Sequence, residues 1–250
     1  SYIGKAQSIA SLLHTWRPFV GILWGALFDK GPSKSPSGCI WTSQVAEAAR
    51  WILAFIAGTQ GTIHRVFYVE AYFNRGVQIV LTVDASPWGI GGWLSVDGMP
   101  QSYFSDVVGD FDRKMLKVGS DSDCTVQQAF EALALLVALR MWLPAYKEQR
   151  VIVTTRSDNL SALFMLSKMQ PKSASLSVVA REVALDIASS AYAPDFTEHV
   201  PGISNIIADE LSRKHQPGVS FKLPKFLCHA KEHVPSPRLE AWWTCYKHRQ

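Results

Sequence analysis

Val77-Gln-Ile-Val-Leu-Thr-Val83, followed by Asp84-Ala-Ser-Pro87, is the stretch whose reading decides the fold. The run is rich in β-branched and apolar residues, the composition of a buried strand, and it ends on a carboxylate. Pro87 breaks the strand, and Gly89-Ile-Gly-Gly-Trp-Leu94 opens another. An acid at a strand end beside a turn is a common position for a catalytic or metal-binding carboxylate. It is equally the position of an ordinary turn-forming Asp, so the rest of the chain has to decide between the two.

A chain of 250 residues with a hydrophobic fraction of 48% and a charged fraction of 18% suits a globular protein with substantial cores. The longest apolar stretch, Ala129 to Leu143, is interrupted by Glu131 and Arg140 and ends at Pro144, so no bilayer span and no membrane partner are expected. No secretory signal is visible, and the chain reads as a fragment of something longer. Cys39, Cys124, Cys228 and Cys245 show no framework spacing, which points to a reducing, intracellular compartment, cytoplasm or nucleus. The net charge of +4 conceals a division. Residues 77–212 carry 10 Lys/Arg against 16 Asp/Glu, while residues 1–76 carry 7 against 3 and residues 213–250 carry 8 against 2. An acidic centre between basic flanks suits a cation site whose polyanionic partner is gripped from the sides. Ordinary surface variation is the competing reading.

Outward from Val77, the periodicity separates three segments. Residues 1–75 read as a helical segment, with apolar residues at three- and four-residue steps over Ile9–Leu27 and Val45–Ile56 and a loop at Gly31–Gly38. Residues 76–213 alternate strands and helices. Strands are expected at Val77–Val83, Ile90–Val96, Gln101–Phe104, Val151–Thr155 and Asp195–Val200, with Asp97-Gly98 as a hairpin turn. Helices are expected at Thr125–Leu143, Leu160–Met169, Ala174–Ala191 and Asn205–Ser212. Ser105–Asp123 reads as a loop in which Asp106, Asp110, Asp112, Asp121 and Asp123 are solvated acids. Residues 214–250 read as a basic, irregular tail spaced by prolines.

Three more acids fall in matching places. Glu131 is the only charge between Ala129 and Leu139, and an unpaired buried carboxylate costs several kcal/mol. The alternative is a narrow solvent-facing stripe shared with Gln127, Gln128 and Arg140. Asp158 follows the fourth strand where a helix begins, a place that an N-cap Asp also favours. Asp209 lies on the last helix. With the first and fourth strands as parallel neighbours, Asp84 and Asp158 emerge at one sheet edge, and the two helices bring Glu131 and Asp209 to them. Four convergent carboxylates cannot all stay ionised without cations, and oxygen-only ligands suit two Mg²⁺ or Mn²⁺ ions better than zinc.

Thr82-Val-Asp-Ala-Ser86 with Gly89-Ile-Gly-Gly-Trp93, Glu131-Ala-Leu-Ala-Leu135, Ser157-Asp-Asn159 and His199-Val-Pro-Gly-Ile-Ser-Asn-Ile-Ile-Ala-Asp-Glu-Leu-Ser-Arg213 together resemble the ribonuclease H domain of retroelement reverse transcriptases. The resemblance spans residues 76–213 and implies an α/β, ribonuclease H-like fold: a five-stranded mixed sheet flanked by helices, preceded by a small mainly helical segment. Residues 1–75, with Trp16-Arg-Pro-Phe19, look like the thumb or connection segment ahead of such domains. The implied activity is endonucleolytic cleavage of the RNA strand of an RNA–DNA hybrid, with Asp84, Glu131, Asp158 and Asp209 as the metal-binding acids. Ser86, Gly91, Gly92, Asn159, Asn205 and Arg213 are the implied nucleic-acid contacts. The resemblance further implies an N-terminal polymerase palm and fingers in the same polyprotein, since no Tyr-x-Asp-Asp motif occurs here. Many family members carry a histidine in the loop before the last helix, whereas this chain has Ile203 there and His199 at the strand end.

Other readings fit less well. Transposases and integrases of this fold place their Glu last, and proofreading exonucleases begin Asp-x-Glu; neither order occurs here. A non-catalytic ribonuclease H-like module that binds nucleic acid or braces a polymerase stays open. An aspartic protease lacks its second motif. Cys228, His229, His233, Cys245 and His248 offer zinc-type ligands at a spacing that fits no known module.

Overall fold

The computed structural model describes residues 2–28, 35–36, 39–60, 69–119, 124–147, 149, 151–189 and 195–247. Most of the loop expected over 31–38, together with Asp121, Asp123 and His248, lies outside these residues. Three helices open the chain, α1 (Tyr2–Leu12), α2 (Arg17–Phe28) and α3 (Thr42–Ile56), followed by a single turn, α4 (Val69–Tyr72). Then come β1 (Val77–Ser86), β2 (Gly89–Val96), β3 (Met99–Asp106), α5 (Asp110–Leu116), α6 (Cys124–Trp142), β4 (Val151–Ser157), α7 (Leu160–Lys168), α8 (Ala174–Ser189) and β5 (Phe196–His199). The chain closes with α9 (Ile206–Ser212), β6 (Lys231–Glu232) and α10 (Thr244–Lys247).

The strands form one mixed sheet in the order β5-β4-β1-β2-β3-β6. β1 runs antiparallel to β2 and parallel to β4, and β4 runs parallel to β5. This is the α/β mixed sheet flanked by helices expected from the sequence, with six strands instead of five. The sixth comes from the segment read as an irregular tail, where Lys231–Glu232 pairs in parallel with Ser102–Tyr103. Two-residue pairing of that kind carries no periodicity for a sequence to show. The hairpin at Asp97-Gly98 is as expected, with φ of 48° and 82° at its two residues, and the Gln78 N–H donates to Asp97 Oδ1 at 2.9 Å.

β1 explains how the sheet is covered. Ile79, Leu81, Val83 and Ala85 point into the main core beneath α6, whose Ala129–Leu139 run is buried throughout. Thr82, Asp84 and Ser86 point to the opposite face and are buried as well, because α9 lies across that end of β1 and β2. Segment Val126–Tyr146, at 21 residues, is long and apolar enough to cross a membrane by length and composition, contrary to expectation; here it is the core helix. α1, α2 and α3 close a second core around Trp16, Phe19, Trp51 and Phe55, completed by Ala184 and Leu185 of α8.

One polar expectation is corrected, and one alternative is removed. Asp112 is buried on α5, within the stretch expected to be a solvated loop, and takes Arg238 Nε at 2.9 Å. Arg140 is no solvent-stripe residue: it bonds Glu182 and Asp186 of α8, each at 2.7 Å, and stacks on Trp242.

Candidate metal centre

Asp84 stands near the end of β1 with both carboxylate oxygens engaged from α9. Asn205 Nδ2 donates to Oδ1 at 3.3 Å and to the Val83 carbonyl at 3.1 Å. Ser212 Oγ lies 2.9 Å from Asp84 Oδ2 and 2.9 Å from the Asp209 carbonyl, so its single proton serves Asp84 when that acid is ionised. The Asn205…Ser212 ends of the last-helix motif are therefore a clamp on the first acid. Ser212 carries no role in the sequence reading; its place seven residues after Asn205, at the far end of the short helix that Asn205 precedes, is the signal that could have found it.

Glu131 reaches the site from α6 and is 3% exposed, which removes the solvent-stripe reading. The Ala85 N–H donates to its Oε1 at 3.2 Å, Gln127 Nε2 to the same oxygen at 3.3 Å, and Ser157 Oγ to Oε2 at 3.4 Å. Gln127, one turn earlier, also donates to the Ala85 carbonyl and so ties α6 to the end of β1. Asp158 follows β4. The N-cap of α7 is Asn159, whose side chain accepts from the Ala162 N–H at 3.0 Å, so Asp158 is free of the capping role.

Asp84, Glu131 and Asp158 bring ligand oxygens within 4.8 Å of one another, the only such acid, His or Cys group of three among the described residues. Burial pushes Asp84 up to about 7, aided by the charges of Asp158 and Asp209 and opposed by Ser212 and Arg213. Glu131 is raised well above its ordinary value, first by burial and then by Asp84 and Asp158. Asp158 is raised, chiefly by burial, with the nearby Asp209 adding and His199 subtracting. Burial and mutual repulsion thus both favour the protonated form of these acids when no cation is near. An oxygen-only donor set, fixed from outside by hydrogen bonds and lacking a neutralising Lys or Arg within the trio, fits a hard divalent cation such as Mg²⁺ or Mn²⁺.

Asp209 is outside that trio. Its Oδ1 takes Arg213 Nε at 2.6 Å, at the more exposed rim. Of the implied nucleic-acid contacts, Ser86, Gly91, Gly92 and Asn205 are buried in this structure. Ser86 Oγ donates to the Ser212 carbonyl at 2.8 Å. A Cβ at Gly91 would stand 2.4 Å from the Ser212 nitrogen, and one at Gly92 would stand 2.8 Å from Phe104. These glycines let α9 and the core close on β2. Asn159 is half-buried and Arg213 is exposed.

His199 pairs in register with Ser157, and its Nε2 is 3.1 Å from the Asp158 carbonyl, while Ile203 is 86% exposed in the loop. The zinc-type residues of the tail do not gather among the described residues: Cys245 is buried in the second core, and His233 Nδ1 accepts from Trp142 Nε1 at 3.1 Å.

The RNase H1 of the halophilic archaeon Halobacterium salinarum is similar in structure, with 19% sequence identity and a TM-score of 0.40, over 57% of this chain and 98% of that chain. No family model and no curated protein matches the chain.

Proposed function

We propose that the chain is a metal-dependent endonuclease that hydrolyses the RNA strand of RNA–DNA hybrids, with Asp84, Glu131, Asp158 and Asp209 holding two Mg²⁺ or Mn²⁺ ions. The observation that carries this reading is the trio of acids converging at one sheet edge, Asp84 and Glu131 buried and held by hydrogen bonds, Asp158 half-buried beside them. Bound divalent ions supply an activated water and a stabilised leaving oxygen for phosphodiester hydrolysis. The chain's own contribution is positional. β1 and β4 fix Asp84 and Asp158, α6 inserts Glu131 between them, and Asn205, Ser212, Gln127 and Ser157 hold the oxygens in place. The raised proton affinities of Asp84, Glu131 and Asp158 favour their protonated forms, so a divalent cation would compete with those protons for the same oxygens.

On this reading residues 76–213 are the nuclease, residues 1–75 a thumb or connection segment, and residues 214–250 a basic C-terminal extension. The motif set supports a place for the chain in the intracellular C-terminal part of a retroelement reverse transcriptase whose polymerase palm and fingers lie N-terminal to it. The test is cleavage of an end-labelled RNA–DNA hybrid with Mg²⁺ or Mn²⁺, with Asp84→Asn as control. Wild-type chain that is folded and metal-loaded yet leaves the hybrid intact sinks the reading in favour of a non-catalytic module.

A further inference from the structure

Asp209 differs from the other three acids in carrying its own counter-ion. Arg213 Nε lies 2.6 Å from Asp209 Oδ1, one helical turn on, and the two side chains are 45% and 40% exposed. The same guanidinium lies over Trp88, 5.6 Å from the ring centroid, in the turn between β1 and β2. Trp88 is thus a shelf that keeps the cation at the mouth of the acid cluster whichever anion it bonds. An acid followed by a base at i,i+4 is a favourable helical order, but an exposed pair is weak and salt-screened, so the contact is made and broken easily. A guanidinium's planar fork matches phosphate as well as carboxylate.

We propose that Arg213 is an exchangeable counter-ion for Asp209. In the free protein it occupies the fourth carboxylate and withholds it from a second divalent cation. When a polyanionic nucleic acid arrives, Arg213 passes to a backbone phosphate at the Trp88 shelf and Asp209 becomes a metal ligand. The centre is thereby completed only on its substrate. Arg213 is a positioning residue in this scheme, acting through Asp209. The inference rests on the proposed nuclease reading and deepens it.

The experiment is Mn²⁺ titration of the full chain by calorimetry at low salt, without nucleic acid and then with a cleavage-resistant 2′-O-methylated hybrid. Without hybrid, the wild type is expected to bind one ion well and a second weakly. Arg213→Gln should strengthen the second step by up to about fivefold, the scale of one exposed ion pair, and high salt should shrink the difference. Arg213→Lys should restore much of the wild-type behaviour, which a loss of folding would not do. With hybrid present, the second step should strengthen more in the wild type than in Arg213→Gln. Equal second-step affinities in wild type and Arg213→Gln, or equal gains from hybrid, overturn the exchange while leaving the nuclease reading intact. Absence of any Mn²⁺ binding in the wild type instead removes the metal centre itself, and the exchange with it.

Discussion

Asp84 and Asp158 lie equally far beyond the last paired residues of two parallel, neighbouring strands. The last paired residues of β1 and β4 are Thr82 and Arg156, and each acid lies two residues beyond its member of that pair. Parallel pairing makes the two acids emerge at the same end of the sheet. α6 then adds Glu131 from the core side, and α9 grips Asp84 from the other face. The acid cluster is therefore a consequence of strand pairing, and it stands or falls with the seating of the two helices.

Replacing Asp84 or Asp158 by Asn should abolish hybrid cleavage, a loss of at least about a thousandfold for a group that holds the reacting centre. The metal-free variants should at the same time be as stable as wild type or more so, because each removes a buried carboxylate that repels its neighbours. Denaturant melts at pH 8 in chelator should show Asp84→Asn no less stable than wild type, because the folded wild-type chain must then ionise a buried acid whose proton affinity is raised. An inactive variant that is strongly destabilised would point to a structural role for the acid.

The metal-free protein should lose stability as pH rises from about 4 to about 7. In that window folded Asp84, raised from 3.8 to about 7, still holds a proton that the unfolded chain has released. The contribution is complete below the unfolded value and gone above the folded one, and Glu131 acts in the same direction. Asp84→Asn should flatten the profile. Ser212→Ala, which removes a hydrogen bond that lowers the Asp84 pKa, should extend the decline to higher pH. Saturating Mg²⁺ or Mn²⁺ should reverse the slope, since a cation binds the deprotonated acids. Melting temperature against pH, with chelator and with metal, reads all three.

Gly91→Ala should unseat α9. The new Cβ meets backbone, 2.4 Å from the Ser212 nitrogen and 2.6 Å from the Leu211 carbonyl carbon, and backbone cannot rotate away. A cost of about 1–3 kcal/mol is expected, together with loss of activity as the Ser212 bond to Asp84 opens. Gly21→Ala on α2, where nothing lies within 4 Å, is the contrasting case and should gain about 0.5–1 kcal/mol. Equal effects at the two glycines would count against tight seating of α9 as the reason for Gly91.

The acids were legible because each ends or interrupts an apolar run, and local composition shows such breaks. Glu131 stood out as the lone charge in a buried helix, and the hairpin was marked by Asp97-Gly98. What the chain did not display locally was partnership across distance. Asp112 reads as a loop acid until Arg238, 126 residues away, is seen to meet it. Gly91 shows no packing reason to be a glycine until α9 is laid on it. Lys231–Glu232 becomes a strand only because β3 leaves an edge to pair with. Each of these depends on tertiary contact, and neither periodicity nor propensity encodes it.

The basic C-terminal segment should prove inseparable from the fold, so its removal cannot test nucleic-acid binding alone. Trp243 is fully buried in the main core, and Arg238 bonds Asp112, Asp106 and the Val107 carbonyl. Glu182, fully buried on α8, accepts the Thr244 and Cys245 N–H groups at 2.9 and 2.8 Å as well as Arg140. Deleting residues 214–250 strips buried carboxylates of their partners and opens the core, and should abolish a cooperative melt. Arg238→Met alone should cost about 3–5 kcal/mol by leaving Asp112 buried and unpaired. Pairing it with Asp112→Leu should recover much of that loss, because the uncompensated charge is then gone as well. Surface substitutions such as Lys222→Gln and Lys225→Gln, by contrast, should leave the melt unchanged. They should flatten the salt dependence of hybrid binding by about one unit of slope for each phosphate they leave unneutralised. A truncated chain that melts cooperatively at the wild-type temperature would show the segment to be a detachable tail after all.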